Sequence, residues 1–225
     1  MSALATRLLV LGAVRIFGPV NGYQLRRELL SWEVERWARL RPGSIYSMLA
    51  TLEKEGSVER HDLAEEGERP VAVYTLTPAG DDEFLRLVTE AIAVPPPSGD
   101  TVPLRAALSF APALARAEFL TALGRRSDAL AAELQRNEDS VERLDAMPPS
   151  VPPHVVAELE LEAALLKAQY DWLLRFGARV QGGGLSFRGE DDPGWTPPDD
   201  DPGWRMMGER ERYLRLLGGG GSDPA

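Results

Sequence analysis

The chain has 225 residues, 44 % hydrophobic and 27 % charged, an ordinary globular composition with room for one large domain or two small ones. It has no cysteine, which excludes disulfides, thiolate metal sites and cysteine nucleophiles. The formal net charge of −10 argues against a polyanion partner, but it is unevenly spread: residues 15–46 carry six arginines against three glutamates, and residues 186–225 carry nine acids against five arginines. No apolar run approaches the roughly 18 residues of a membrane span. Residues Met1 to Arg7 lack the charged start and cleavage site of a signal peptide. The expectation is a cytoplasmic protein with no membrane partner.

Apolar residues at 4, 8, 9, 11, 13, 16 and 17 predict a helix over Leu4–Phe17, closed by Gly18-Pro19. Asn21 is a good N-cap for a second helix to about Leu30, with Tyr23, Leu25 and Leu29 as inward candidates. A linker of Trp and Arg follows, and Trp32 and Trp37 are read as plugs between helices. Pro42 sits where its missing N–H costs nothing, so a further helix opens there. It carries the stripe Ile45, Leu49, Leu52 and ends at Lys54-Glu55-Gly56. Val58–Leu63 and Val71–Leu76 read as strands joined by the polar turn 64–70, and Thr77-Pro78 starts a helix through about Ile92. That order of parts is a winged helix-turn-helix, whose dominant use is to hold a helix in the major groove of duplex DNA.

The groove-facing end of such a helix needs small or polar groups, and Ser44 and Ser47 meet that need, with Ala50 and Thr51 further along the exposed face. Tyr46 either lays its hydroxyl on a phosphate oxygen or is a half-buried packing residue. Arg39 and Arg41 reach phosphates, or belong to a solvated loop in which Arg36 pairs with Glu33 or Glu35. For Arg26 and Arg27, a phosphate contact and a solvated helix face are equal readings.

Beyond the linker Val94–Asp100 the texture changes. Leu120, Leu123, Ser127, Leu130, Leu134, Asn137, Val141 and Leu144 form a 3/4-spaced seam, Met147–Pro153 forces a turn, and Val156, Leu159, Ala163, Leu166, Tyr170, Leu173, Gly177 and Val180 form a second seam. This predicts a helical hairpin with too little core of its own, and hence a partner surface, with Leu120, Leu123, Leu130, Leu134, Leu159, Leu166 and Leu173 as its candidate dimerisation residues. Asn137 and Ser127 either fix register in the seam or face water. After Gly182-Gly183-Gly184 an acidic, flexible tail is expected, with Asp-Asp-Pro-Gly-Trp at 191–195 and again at 200–204 and a short amphipathic helix over Arg205–Leu217. Its charge makes it a candidate internal competitor for DNA. His61 and His154 are too isolated to hold a metal, Asp199–Asp201 lacks the spaced loop of a calcium site, and no phosphate loop or catalytic triad is visible. No enzyme activity, metal or cofactor is expected.

Several of these residues resemble the PadR family of bacterial transcriptional regulators. Leu8-Leu9-Val10-Leu11-Gly12, Gly18-Pro19 and Gly22-Tyr23-Gln24-Leu25 are similar to that family's first two helices. Arg41-Pro42-Gly43-Ser44-Ile45-Tyr46, with Leu49, Leu52-Glu53 and Glu55-Gly56-Ser57-Val58, resembles its recognition helix and the approach to its wing. Arg69-Pro70 and Tyr74-Thr75-Leu76-Thr77-Pro78-Ala79-Gly80 resemble the second wing strand and the next helix. The resemblance implies a dimer on a palindromic operator in double-stranded DNA, usually a repressor, released by a small-molecule effector or other signal. This chain departs from the family pattern at Val71 and Ala72, where basic residues are common, and at Ser47, where proline is common. Of the wing, only Arg69 is therefore carried over as a phosphate contact.

The expected architecture is mainly α. It comprises a winged helix-turn-helix of three helices and a β-hairpin wing (1–92), a linker (93–103), a C-terminal helical hairpin for dimerisation and effector binding (104–182), and the tail (183–225). The alternative is a protein-interaction module that keeps the winged helix as a scaffold. The acidic wing turn (Glu65, Glu66, Glu68) favours that alternative, and the arginines around residue 41 favour DNA.

Overall fold

The computed structural model describes residues 3–64, 69–97, 99–145, 151–190 and 203–219. The wing turn 65–68, the turn 146–150 and residues 191–202 lie outside them, and with these go the acidic wing glutamates, Asp199–Asp201 and all but Gly203 and Trp204 of the two Asp-Asp-Pro-Gly-Trp repeats. The described chain is mainly helical with one three-stranded sheet, and falls into two compact units. None of the described helices is long and apolar enough to cross a membrane.

The first unit takes residues 1–88, 105–110 and 195–225. Helix α1 (Ala3–Phe17) is buried on nearly every side from Leu8 to Val14, as a helix apolar all round must be. Strand β1 (Val20–Asn21) leads into α2 (Gly22–Ser31), which starts with a complete capping box: Asn21 Oδ1 accepts from the Gln24 N–H at 2.8 Å and Gln24 Oε1 from the Asn21 N–H at 2.9 Å. Leu25 and Leu29 point inward as expected, but Tyr23 is 62 % exposed. Two residues turn a helix by about 200°, so once Leu25 faces the core Tyr23 faces away from it. A single turn, α3 (Val34–Trp37), precedes α4 (Pro42–Glu55), which has Pro42 in its first turn and ends at Gly56 with φ +78°, a left-handed conformation suited to glycine. Strands β2 (Val58–Leu63) and β3 (Val71–Leu76) pair antiparallel from Val58↔Leu76 to Leu63↔Val71. β1 adds to the other side of β3, giving the order β1-β3-β2. Helix α5 (Pro78–Ala93) is capped by Thr77, whose Oγ1 accepts from the Gly80 N–H at 3.0 Å.

A carboxylate on α5 locks the far end of α4. Glu83 receives Arg7 of α1 through two bonds of 2.6 and 2.9 Å and the Ser57 hydroxyl at 2.7 Å, and Arg7 also reaches Glu55 at 2.6 Å. The Arg7 hydrogen bond holds the Glu83 carboxyl below the ordinary carboxylate range, against the opposing pull of desolvation.

The unit boundaries interleave where a linear division was expected. Residues 105–110, from α6 (Val102–Leu108) and its exit, join the first unit, where the Phe110 ring lies 5.3 Å from Phe84 and 5.9 Å from Trp32. So does α9 (Gly203–Gly219), the short amphipathic helix expected within the tail over Arg205–Leu217.

The second unit, residues 89–104 and 111–194, is built on α7 (Arg116–Asp145) and α8 (Pro153–Gln181), the expected hairpin. Leu123, Leu130, Leu166 and Leu173 are buried in it, and Asn137 reaches across the seam to Glu162 at 3.2 Å. Arg116 closes the open end: it grips Glu190 at 2.6 and 2.7 Å and donates to the carbonyls of Leu185 (2.8 Å) and Val180. Residues 182–190, where order was expected to weaken, are thereby folded back. On the same helix Arg126 is 1 % exposed and donates to the carbonyls of Ala91, Ile92 and Val94 at 3.1–3.3 Å, gathering the end of α5. Burial pushes its guanidinium down to about 10, which leaves it cationic at neutral pH.

Two outcomes are expected. Because the folded-state carboxyl of Glu83 is depressed, its contribution is present above the ordinary carboxylate range and is lost as pH falls through the depressed value. Glu83→Gln is expected to cost about 1–3 kcal/mol at neutral pH and to flatten the acid limb of stability, as read by urea unfolding across a pH series. Arg126→Met is expected to cost about 2–4 kcal/mol by leaving three carbonyls without their buried donor, measured the same way at neutral pH.

Candidate nucleic-acid interface

Helix α4 has one stripe for the core and one for solvent. Ile45, Leu49 and Leu52 are buried, whereas Gly43, Tyr46, Ser47, Ala50, Thr51 and Lys54 are exposed and recur at three- and four-residue spacing along one face. Ser44 is half-buried in the first turn, its N–H donating to the Arg41 carbonyl at 2.9 Å. Lys54 was read from the sequence only as part of the helix end. Its place three residues after Thr51 is the signal that puts it on the same face.

The two hydroxyls on this face are committed in a way that fixes their chemistry. Ser47 Oγ donates to the Gly43 carbonyl at 3.1 Å, and Thr51 Oγ1 to the Ser47 carbonyl at 2.9 Å. With its proton turned back on the helix, each hydroxyl presents lone pairs outward and is an acceptor toward anything approaching the face.

Tyr46 is packed on one side and open on the other. Its side chain is 44 % exposed, yet one ring edge lies over α2: a Cβ added to Gly22 would fall 2.8 Å from Tyr46 Cε1. Glycine at 22 is therefore what lets the ring lean on the first turn of α2 with its remaining surface in solvent.

The arginines of the α2–α4 connection are held apart by a plug. Leu40 is buried, and Arg39 and Arg41 stand exposed on either side of it. Arg41 is the extended N-cap residue of α4 and makes no side-chain cap, and Arg39 adopts φ +54°. Arg36 pairs with Glu33 at 3.4 Å. The indoles act as plugs: Trp32 donates to Glu28 at 3.0 Å and lies 6.2 Å from the Phe17 ring, and Trp37 donates to the Trp32 carbonyl at 2.9 Å. Arg27 is exposed and Arg26 half-buried.

The wing adds little positive charge. Arg69 is exposed, next to the undescribed turn, while Arg60 on β2 is engaged by Asp62 at 2.8 Å. His61 shares a hydrogen bond of 2.9 Å with Thr75 and His154 is exposed, and the described residues contain no group of three metal-ligating side chains.

Of the seven leucines expected at a dimer interface, Leu123, Leu130, Leu166 and Leu173 are buried within the single chain, and Leu120, Leu134 and Leu159 are half-buried. Exposed apolar surface on α8 lies instead at Leu161, Leu165 and Leu174, off the predicted seam.

Residues 10–86 match the model of the transcriptional regulator PadR-like family. No curated protein matches the chain. Two solved structures, both of Bacillus subtilis PadR, are similar. The complex with operator DNA is 22 % identical, with 77 % of this chain and 98 % of that chain covered and a TM-score of 0.35. The complex with p-coumaric acid is 22 % identical, with 80 % and 98 % covered and a TM-score of 0.32.

The backbone at Arg39 generates one prediction. A non-glycine residue in the left-handed region is strained and this side chain packs on nothing, so Arg39→Gly is expected to hold or raise thermal stability, by up to about 1 kcal/mol, while removing its charge.

Proposed function

We propose, from a winged-helix segment that belongs to the transcriptional regulator PadR-like family, that this chain is a dimeric, sequence-specific DNA-binding repressor. The observation that carries the reading is the exposed face of α4, polar and free of carboxylates from Gly43 to Thr51, entered between two exposed arginines. A helix of this kind reads base edges with its first turns, while the preceding helix crosses the backbone. Arg39 and Arg41 supply phosphate contacts at the helix start, Tyr46 one at the wall of the groove, and Arg69 one from the wing. Ser44, Ser47 and Thr51 do the reading. As acceptors, Ser47 and Thr51 suit the exocyclic amines of cytosine and adenine.

Two copies are needed for a palindromic operator, with recognition helices about one turn of DNA apart. The exposed leucines of α8 are the surface on which we place the second copy. An effector or other signal acting on the helical hairpin then alters the spacing of the two recognition helices, and both no longer fit successive grooves.

The test is a salt-series binding measurement on the DNA upstream of the protein's own gene, with competing mixed-sequence duplex. A specific complex at low salt is expected, and its absence would sink the reading. Arg41→Ala is expected to weaken binding to every sequence alike and to lower the salt slope by about 1. Ser47→Ala is expected to shift preference among operator variants by about 1 kcal/mol or more at a single base pair, with little change on mixed-sequence DNA.

A further inference from the structure

Helix α9 is built as an amphipathic helix whose apolar face is already used. Met206 and Tyr213 are buried against the winged helix. Tyr213 Oη accepts from Asn21 Nδ2 at 3.0 Å, Gln24 Nε2 donates to Glu209, and Arg210 Nε donates to the Gly18 carbonyl at 2.8 Å. Those partners are the last residue of β1, the first turn of α2 and the end of α1. Leu214 completes the contact, lining a cleft with Val14, Pro19, Leu76 and Pro78.

The outward side of this helix is basic, although the tail as a whole is acidic. Residues 203–219 contain four arginines and two glutamates, and one of the glutamates, Glu209, is turned inward onto Gln24. At about 100° per residue Arg205 and Arg212 fall on one column, roughly 80–120° around the helix from Met206 and Tyr213, and Arg215 lies about 60° further round. Arg205 and Arg215 are exposed and Arg212 is half-buried; both glutamates are exposed, Glu209 with its carboxylate engaged by Gln24 and Glu211 near Arg215.

The place of this stripe gives it a partner. α9 is anchored on Asn21 and Gln24, and the residue between β1 and that turn, Gly22, carries the ring edge of Tyr46 from α4. In a helix-turn-helix the DNA backbone passes over the first helix, here α2. The wing, the usual second point of contact, offers only Arg69 among its described residues, because Arg60 is held by Asp62.

We infer that α9 is a second DNA-contacting element, docked on the first turn of α2 so that Arg205 and Arg215 bind the phosphodiester backbone of the duplex read by α4. The inference rests on the DNA-binding reading above. It reverses the role that net charge assigns to the tail: α9 adds positive surface beside the first turn of α2.

The experiment compares the full chain with Arg205→Ala/Arg215→Ala on a mixed-sequence duplex across a salt series. Non-specific binding reports phosphate contacts alone, so no operator has to be known. The double variant is expected to bind several-fold more weakly at low salt, with a slope of log affinity against log salt shallower by about 1–2. Circular dichroism and limited proteolysis are expected to be unchanged, since neither side chain belongs to the docking face. Deletion of residues 203–225 is expected to weaken binding at least as much. An unchanged affinity and slope in the double variant overturns the inference while leaving the DNA-binding reading intact. Tighter binding after the deletion overturns it in favour of a masking helix. No binding of the full chain at low salt removes both together.

Discussion

The C-terminal end of α4 is tied to the rest of its unit by a charge cluster centred on the Glu83 carboxylate. Glu83 sits on α5, takes both arms of Arg7 from α1 and the Ser57 hydroxyl just past α4, and through Arg7 also holds Glu55 in the last turn of α4. Three helices and the start of the wing converge on one partly buried charge cluster. The bidentate pair itself joins α1 to α5, and α4 enters the cluster through Glu55 and through the Ser57 hydroxyl just past its end, while Ile45, Leu49 and Leu52 supply its apolar packing.

The second unit uses the same device with less compensation. Arg126 brings a full charge into the hairpin and meets only carbonyl dipoles, with its Nε and second terminal nitrogen lacking hydrogen-bond partners. Such a group stabilises poorly but specifies strongly, because any displacement of the α5 terminus leaves it with nothing. Asn137 is a milder instance: one side of its amide is satisfied by Glu162 across the seam and the other is not.

Much of this was legible in the sequence, for identifiable reasons. The helix starts at Asn21, Pro42 and Thr77 are local signals, carried by a capping side chain or a missing N–H, and the structure has each of them in place. The two wing strands were legible through the polar, Gly- and Pro-containing turn between them, the second also through Val71, Val73 and Thr75. β1 was not, because two residues carry no periodicity and their strand character comes from pairing with β3. Tyr23 was misplaced because an aromatic was assumed to be inward, when the spacing to Leu25 already turned it out. The hairpin helices were legible from their seams, but spacing cannot say whether a seam residue faces a second copy or the neighbouring helix; within the single chain Leu123, Leu130, Leu166 and Leu173 are already buried. In the tail the amphipathic helix was legible from its spacing, but its arginines were hidden in a charge summed over residues 186–225.

The amide of Asn21 spends both of its ends. Its oxygen caps α2 and its nitrogen donates to Tyr213 on α9. Serine, threonine or aspartate would serve the cap as well, but serine and threonine have only one polar atom for both tasks, and aspartate would have to accept from Tyr213 instead of donating to it. Asparagine at this position therefore suits the C-terminal helix as well as the cap. In a lineage that lost the last twenty-odd residues, this position would be released to drift among the ordinary cap residues, so its identity records whether the tail is in use.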